Sequence, residues 1–409
     1  LGGDRCFHVT RICLIRSFFW FGEQHMKVLI VGGGIGGFAT AVALRRAGMD
    51  IELLEQAGEI RERGAGLTLW SNAMQILASW GLEDSIRDCS STLRQGLIQD
   101  HAGKVLANIP LDKLAHEFQA PVVGIHRARL LNILASCTPA KMVHLSCRVI
   151  DFVEHDDYVE AFTADGRSFY GNILIAADGV HSLACDKLRP NSKRYCGYIG
   201  WQGICERKLL GIPADVSTWT WGLGGQFGLV PVDQERVYWF GTANFVTPPD
   251  FSAAENKREI IQRFQKWHAP IPALTKVLQP EMILRIPIFD RPPTKTWGTK
   301  RMMLLGDSAH ATTPTLGHGA CLAIESAHTL ANALKQPIAP ELALKQYAQN
   351  RQARTDKIIR TSYRLGGLIQ TNSSVLARLR NLGVRYLPTA VHYRSLRNLV
   401  APGCRFPIG

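Results

Sequence analysis

One stretch limits the fold more than any other: KVLIVGGGIGGFATAVALRRAGMDIELLEQ, residues 27–56. Val28 to Val31 is a short apolar run ended by glycine, which predicts a buried strand. Gly32, Gly34 and Gly37 satisfy GxGxxG, and with Gly36 they are the glycines expected at the cofactor. The spacing predicts a helix from there to Gly48 and a second strand over Ile51–Glu55. The first glycine makes a tight turn, the second lets a pyrophosphate approach the backbone, and the third lets helix and strand pack closely. The helix start offers free N–H groups and partial positive charge to phosphates. Glu55 ends the second strand, where an acid can hold both ribose hydroxyls of an adenosine. GxGxxG alone is a weak signal, but strand, glycines, helix, strand and acid in this order predict a bound dinucleotide. An acid at 55 disfavours a 2′-phosphate, so the tightly held ligand is expected to be FAD or NAD.

A chain of 409 residues exceeds one ordinary core, so two domains, interleaved or not, are expected. No run of eighteen apolar residues occurs, which predicts no spanning helix. The ten cysteines form no CxxC pair, which argues against a disulfide framework and a zinc site; no metal is expected, and a reducing cytoplasm fits. The net charge of +13 is uneven: from Lys345 to Gly409, twelve Lys/Arg face one acid, Asp356. Residues 1–25 include the apolar run ICLIRSFFWF, interrupted by Arg16, with no small-residue cleavage site. They are read as an extension outside the fold.

Three further segments point back to the first. In RERGAGLTLWSNAMQILASWGL (61–82), Gly64, Ala65 and Gly66 would allow another close backbone approach to a cofactor, ahead of an amphipathic helix. Arg127 sits at a predicted helix start, where it is either a solvated arginine or a clamp on the cofactor. In FTADGRSFYGNILIAADGVHSL (162–183), a hairpin at Asp165-Gly166 leads to a buried strand, Ile173 to Ala176, that ends in Asp178-Gly179. Met302 to Leu305 repeats the pattern and ends in Gly306-Asp307. Strands of a doubly wound sheet place ligands at their carboxyl ends, so these features are expected in one crevice.

GGGIGG (32–37), ADGVHS (177–182) and GDSAHATTPTLGHGACLAIESA (306–327) together resemble the three FAD motifs of the single-component flavoprotein aromatic hydroxylases, the para-hydroxybenzoate hydroxylase family. The likeness runs from about Lys27 to Ile359 and is nearest the branch with urate hydroxylase, salicylate hydroxylase and zeaxanthin epoxidase. It implies an α/β fold: a Rossmann-like FAD-binding domain (26–190 and 296–360) interleaved with a β-sheet substrate domain (191–295), plus a basic helical region (361–409). It implies an FAD-dependent monooxygenase that uses NADH or NADPH and O2 to hydroxylate an aromatic or related ring through a C4a-hydroperoxyflavin. The FAD contacts it implies are Glu55, Gln56, Thr68, Arg127, Val149, Asp178, Asp307, and the turn Gly317, His318, Gly319, Ala320 and Cys321. Pro314 would lie against the flavin's reacting edge, and the helix start at 317–321 would favour anionic reduced flavin. One departure stands out: the second motif usually ends in arginine, and here that position is Cys185.

The middle of the chain reads as strands: 194–206, 217–232 and 237–245 are dense in aromatics and alternate. Most of these aromatics are expected in sheet core, a few over the flavin ring. Tyr238 matches a substrate-contacting tyrosine of the urate-hydroxylating branch, but the arginine that pairs with it there falls at Gln226. A neutral aromatic or apolar small-molecule substrate is therefore favoured over a strong anion. An epoxidase or oxidoreductase acting on a polyene or isoprenoid is the alternative within the fold; a flavin-binding, membrane-associated protein without turnover is the alternative outside it. The C-terminal region is expected to form a long helix from 341 to about 364, ended by Gly366-Gly367, and a second helix before Pro388. Its bland reading is a solvated basic face packed on the FAD domain; peripheral contact with an anionic membrane is the other. No aromatic-stacking module suggests nucleic acid.

Overall fold

A computed structural model describes residues 26–60 and 65–404. The extension at 1–25 and Gly64 therefore lie outside the described residues. The architecture is α/β, built on a five-stranded parallel sheet in the order 302–304, 173–176, 27–31, 50–54, 143–144. Ile173–Ala176 and Met302–Leu304 are fully buried, as parallel strands covered on both faces are. Helices Ile35–Arg46 and Gly319–Leu334 cover this sheet on one side and pack against each other.

The second layer is a seven-stranded sheet in the order 284–290, 194–206, 236–244, 225–231, 216–221, 95–100, 105–110. The last two strands come from early in the chain, so residues 95–110 join this sheet and not the five-stranded parallel one. Strand Gln95–Asp100 joins by pairing parallel to Val216–Trp221, from Gln95 opposite Val216 to Asp100 opposite Trp221. The run at 217–232 is two strands joined at residues 222–224, with Gly224 at φ +68°. A second core lies behind this sheet, where Phe227 stacks on Trp239 at 5.9 Å and meets Phe264 edge-on.

The C-terminal region departs from expectation at Gly366-Gly367. Helix Pro340–Ile369 runs straight through both glycines. A Cβ at Gly366 would lie 3.0 Å from Thr315 Oγ1, so this glycine lets the helix approach the 314–316 turn closely. Ser362 Oγ, one turn earlier, donates to the Thr313 carbonyl at 2.8 Å. Helices Ser374–Tyr386 and Thr389–Val400 follow and both pack on strand Val105–Pro110. The inward face of Ser374–Tyr386 carries Ala377 and Arg380. Its outward face carries Val375, Leu379, Leu382 and Tyr386, at least 48% exposed each. The exposed face thus mixes this apolar stripe with Arg378 and Arg385, while Arg380 points inward to the carbonyls of Leu368, Ile369 and Gly222.

Candidate active site

Parallel neighbours end at one edge of a sheet, so the residues after strands 27–31, 50–54, 173–176 and 302–304 share a crevice. Gly32 has φ +103°, and a Cβ there would come within 2.5 Å of the Ala177 carbonyl oxygen. At Gly37 a Cβ would meet the Gly32 carbonyl at 1.8 Å, whereas at Gly34 it would meet nothing within 4 Å. The outer glycines close the turn and the middle one leaves room, as a phosphate cradle requires. Helix Ile35–Arg46 starts without a side-chain cap or an acid in its first turn, which leaves its N–H groups and positive end for an anion. Gly36 faces Leu305 and not the groove.

A groove of about 720 Å³ runs along this edge, lined by Gly32, Gly34, Glu55, Gln56, Val149 and Asp178. Glu55 is held in place by the N–H groups of Gly33 and Ala57. Asp178 accepts from the Leu183 N–H at 2.9 Å, while its Oδ1 is buried with no partner. Burial pushes its pKa up. A buried carboxylate oxygen without a donor fits a group that brings one.

A second cavity of about 650 Å³ abuts the groove at the 178–181 turn, since Val180 lines it while Asp178 and His181 line the groove. Asp307, Pro314, Gly317, Gly319 and Ala320 form one wall. Asp307 is enclosed by protein yet keeps exposed surface, because its carboxylate faces the cavity. Burial raises its pKa, and Arg127 and Arg291 pull the other way. Arg127 is the first residue of helix Arg127–Ser136; its side chain is exposed and its charge reaches both Asp307 and Tyr238. Gly317 adopts φ +61° and turns the chain into helix Gly319–Leu334, whose N-terminus no side chain caps.

His318 and Cys321 do not line the cavity. The His318 ring stacks on Trp70 at 5.4 Å and bonds the Leu316 carbonyl through Nδ1, and burial lowers its pKa to about 4. Cys321 Sγ accepts the Trp70 N–H at 3.4 Å, and burial pushes the thiol up to about 12. These side chains fasten the turn to the Trp70 segment, so only the backbone at 318 and 321 is available to a cofactor.

The opposite wall belongs to the seven-stranded sheet. Trp201, Trp219, Trp221, Tyr238 and Phe240 line the cavity, whereas Phe227, Trp239 and Phe245 pack in the core behind. Tyr238 donates its hydroxyl to Gln202 Oε1 at 2.7 Å, and burial raises its pKa. Gln226 is buried and also lines the cavity. Thr68 lines it from strand Gly66–Leu69. The close approach expected of Gly66 is made to Tyr238, whose Cβ would lie 2.3 Å from an added Cβ. Among the described residues lining this cavity, Asp307 is the single charged side chain.

Two abutting cavities, a glycine turn at an uncapped helix start and an acid at the end of the second strand make an elongated site, and residues 25–362 match the model of the FAD binding domain family. The chain belongs to that family. It is similar to aurachin C monooxygenase/isomerase of Stigmatella aurantiaca, at 35% identity over 378 residues, covering 91% of this chain and 98% of the relative. It is 32% identical over 337 residues to an FAD-dependent urate hydroxylase of Klebsiella pneumoniae, covering 80% and 86%. The crystal structure of Klebsiella pneumoniae HpxO complexed with FAD and uric acid matches with a TM-score of 0.88 at 27% identity, covering 95% of this chain and 99% of that one. The protein is an FAD-dependent monooxygenase, a flavoprotein oxidoreductase of ring substrates with NAD(P)H as co-substrate.

Within this monooxygenase an arginine one helical turn from Cys185 reaches back to it. Arg189 caps helix Leu183–Leu188 and turns its guanidinium back. Nη2 reaches Cys185 Sγ at 3.1 Å and the carbonyls of Ser308 and Ala309 at 3.2 and 3.4 Å. Sequence reading missed this residue, although the i,i+4 spacing from 185 was visible. It also missed Arg291, whose fully buried guanidinium bonds the Val180 carbonyl at 2.9 Å and pairs with Asp186. A third omission is the cluster behind the flavin helix, where Arg351, Arg354 and Asn72 converge on Glu325.

Proposed function

We propose that this monooxygenase hydroxylates a planar, uncharged aromatic or heteroaromatic ring and does so at an anionic membrane surface. The lack of any Lys or Arg among the described residues that line the ring cavity carries the first part. Tyr238 donates to Gln202, which leaves the phenol oxygen as acceptor and the amide nitrogen as donor toward a bound ring. Neither is a charge, and an anionic substrate would enter this apolar cavity without a counter-ion.

FAD, when bound, supplies reduction by NAD(P)H and activation of O2. The residues placed to hold it are Glu55, Gln56 and Val149 at the adenosine end, Gly32 and Gly34 at the phosphates, and Asp178, Arg127 and Asp307 along the chain between. Thr68 and the 317–321 turn face the ring. The uncapped start of helix Gly319–Leu334 favours negative charge on the ring. Aromatic walls exclude water and fix the substrate over Pro314. Burial lowers the pKa of His310 to about 3 and of His318 to about 4, so both are uncharged imidazoles near neutral pH.

The outward apolar stripe of helix Ser374–Tyr386 supports the membrane reading. Arg378, Arg385 and Arg394 are exposed beside it, and the sequence holds no acid from 357 to 404. Among the described residues, no helix is long and apolar enough to cross a membrane, so the contact would lie in the interface plane.

Purified protein reconstituted with FAD tests the first part, with neutral phenols and hydroxylated heteroaromatics set against benzoates. Substrate-stimulated NAD(P)H oxidation with a product heavier by one oxygen is expected for the neutral set; preference for the carboxylates refutes it. Co-sedimentation with phosphatidylserine vesicles against phosphatidylcholine vesicles tests the second. Equal binding to both, or a dimer in solution that fails to bind either, refutes it.

A further inference from the structure

The ring cavity does not end at the ring. Besides Trp219 and Trp221 its lining takes in Leu365 and Ile369 on the long helix, and Val384, Leu387, Leu396 and Leu399 from the last two helices and their link. Pro314 and Tyr238 lie on the 314–316 turn and on strand Arg236–Asn244, whereas these last four residues belong to the two C-terminal helices and their link, which pack on strand Val105–Pro110. The extension is apolar. Its one ionisable side chain, His392, bonds the Val384 carbonyl through Nε2 at 2.9 Å.

The far end opens to the surface. Leu387 lines the cavity and is also 46% exposed, so it stands at the mouth. Leu382, Tyr386 and Val391, within five residues of it in the chain, are 48%, 75% and 41% exposed. These residues continue the outward stripe of helix Ser374–Tyr386. Exposed apolar side chains near the opening suit a chain leaving a bilayer.

We propose that the substrate is a planar ring bearing a long apolar chain, held with the ring over the flavin and the chain along the passage to Leu387, and taken up from the membrane through that mouth. This rests on the ring-hydroxylase reading and names the substrate class for it.

The test uses the FAD-loaded enzyme without vesicles and the 4-n-alkylphenols, from phenol itself to decylphenol, with binding read from the change in flavin absorbance. Affinity is expected to rise about fourfold per methylene while the chain fills the passage, then level off once it passes Leu387. Leu399→Trp and, separately, Leu396→Trp should lower the affinity ratio of decylphenol to ethylphenol at least tenfold. If phenol perturbs the flavin but chain length and both variants leave that ratio unchanged, the chain proposal is overturned and the ring reading stands. If no phenol of any length perturbs the flavin, the ring reading fails and the chain proposal with it.

Discussion

Glu325 is the one acid in a cluster of buried cations, and replacing it by glutamine would unbalance the scaffold beneath the flavin site. Its side chain is 0% exposed. Oε2 accepts from Arg351 at 2.7 Å and Oε1 from Arg354 at 2.9 Å, with Asn72 as a further donor. Arg351 and Arg354 have side-chain exposures of 5% and 8%, so glutamine would strand two desolvated guanidinium groups. Burial raises the Glu325 pKa, but the two arginines outweigh it and hold the carboxyl at about 2 against an ordinary 4.5. That difference corresponds to about 3 kcal/mol of folding stability. Breaking a buried ion pair by removing one partner costs about 3–5 kcal/mol, which agrees. At about 2.1 cal/mol/K per residue, a chain of 409 residues has an unfolding entropy near ~0.9 kcal/mol/K. Glu325→Gln should therefore lower the melting temperature of the holoenzyme by about 4 °C at pH 7. The sign with pH follows from the depressed pKa. The contribution is complete above about 4.5 and is lost as the pH falls toward about 2, so the gap between wild type and variant should close over that interval. Calorimetry or far-UV circular dichroism across pH measures both. A loss under about 1 °C at pH 7, or a gap that widens in acid, would refute the reasoning.

Three further substitutions probe the site. Asp307→Ala removes a cavity-facing carboxylate and, through one or more charged hydrogen bonds of about 1.5–3 kcal/mol, should weaken FAD binding about 10- to 100-fold by flavin-fluorescence titration; unchanged affinity counts against its role. Arg189→Ala frees the Ser308 and Ala309 carbonyls and should cost about 1–3 kcal/mol, with loss of FAD affinity or a raised KM for NAD(P)H, while Cys185→Ser stays near wild type; equal effects from both would show that Arg189 does not stand in for the missing arginine. Gly366→Val pushes a side chain into Thr315, within about 1–3 kcal/mol of overpacking, and should shift the Pro314 turn. Its readout is hydrogen peroxide released per NAD(P)H oxidised, and unchanged coupling would mean that the turn absorbs the intrusion elsewhere.

The nucleotide half of this fold is legible because its determinants are local. Gly32, Gly34, Gly37 and Glu55 lie within one strand–helix–strand unit, and the parallel rule carries Asp178 and Asp307 to the same edge. What local pattern cannot supply is the partner of a distant strand. Gln95–Asp100 pairs with Val216–Trp221 across more than a hundred residues, and nothing in either stretch names the other. The glycines at 366 and 367 mislead for a different reason: propensity marks them as a stop, yet Thr315 needs the missing Cβ, and tertiary packing wins. In helix Ser374–Tyr386 the period separates two faces but does not say which is inward. The direction depends on Arg380 finding three carbonyl acceptors inside the protein.

That inward arginine also limits how strongly charge can hold the enzyme to a membrane. The C-terminal excess of positive charge is partly spent within the fold, with Arg351 and Arg354 on Glu325, Arg380 on carbonyls and Arg397 on Glu117. In helices 374–386 and 389–400, Arg378, Arg385 and Arg394 remain exposed. At about 1 kcal/mol per basic residue near an anionic surface they supply about 3 kcal/mol, too little for stable attachment alone. Val375, Leu376, Leu379, Leu382 and Tyr386, each roughly half exposed or more, can add about 1 kcal/mol apiece on leaving water. Attachment should then be weakened by salt but not abolished, and a Leu379→Glu, Leu382→Glu double variant should release the protein at any ionic strength. Vesicle binding that disappears in salt and survives the double variant would assign attachment to charge alone and remove the reason for the mouth at Leu387 to face the bilayer.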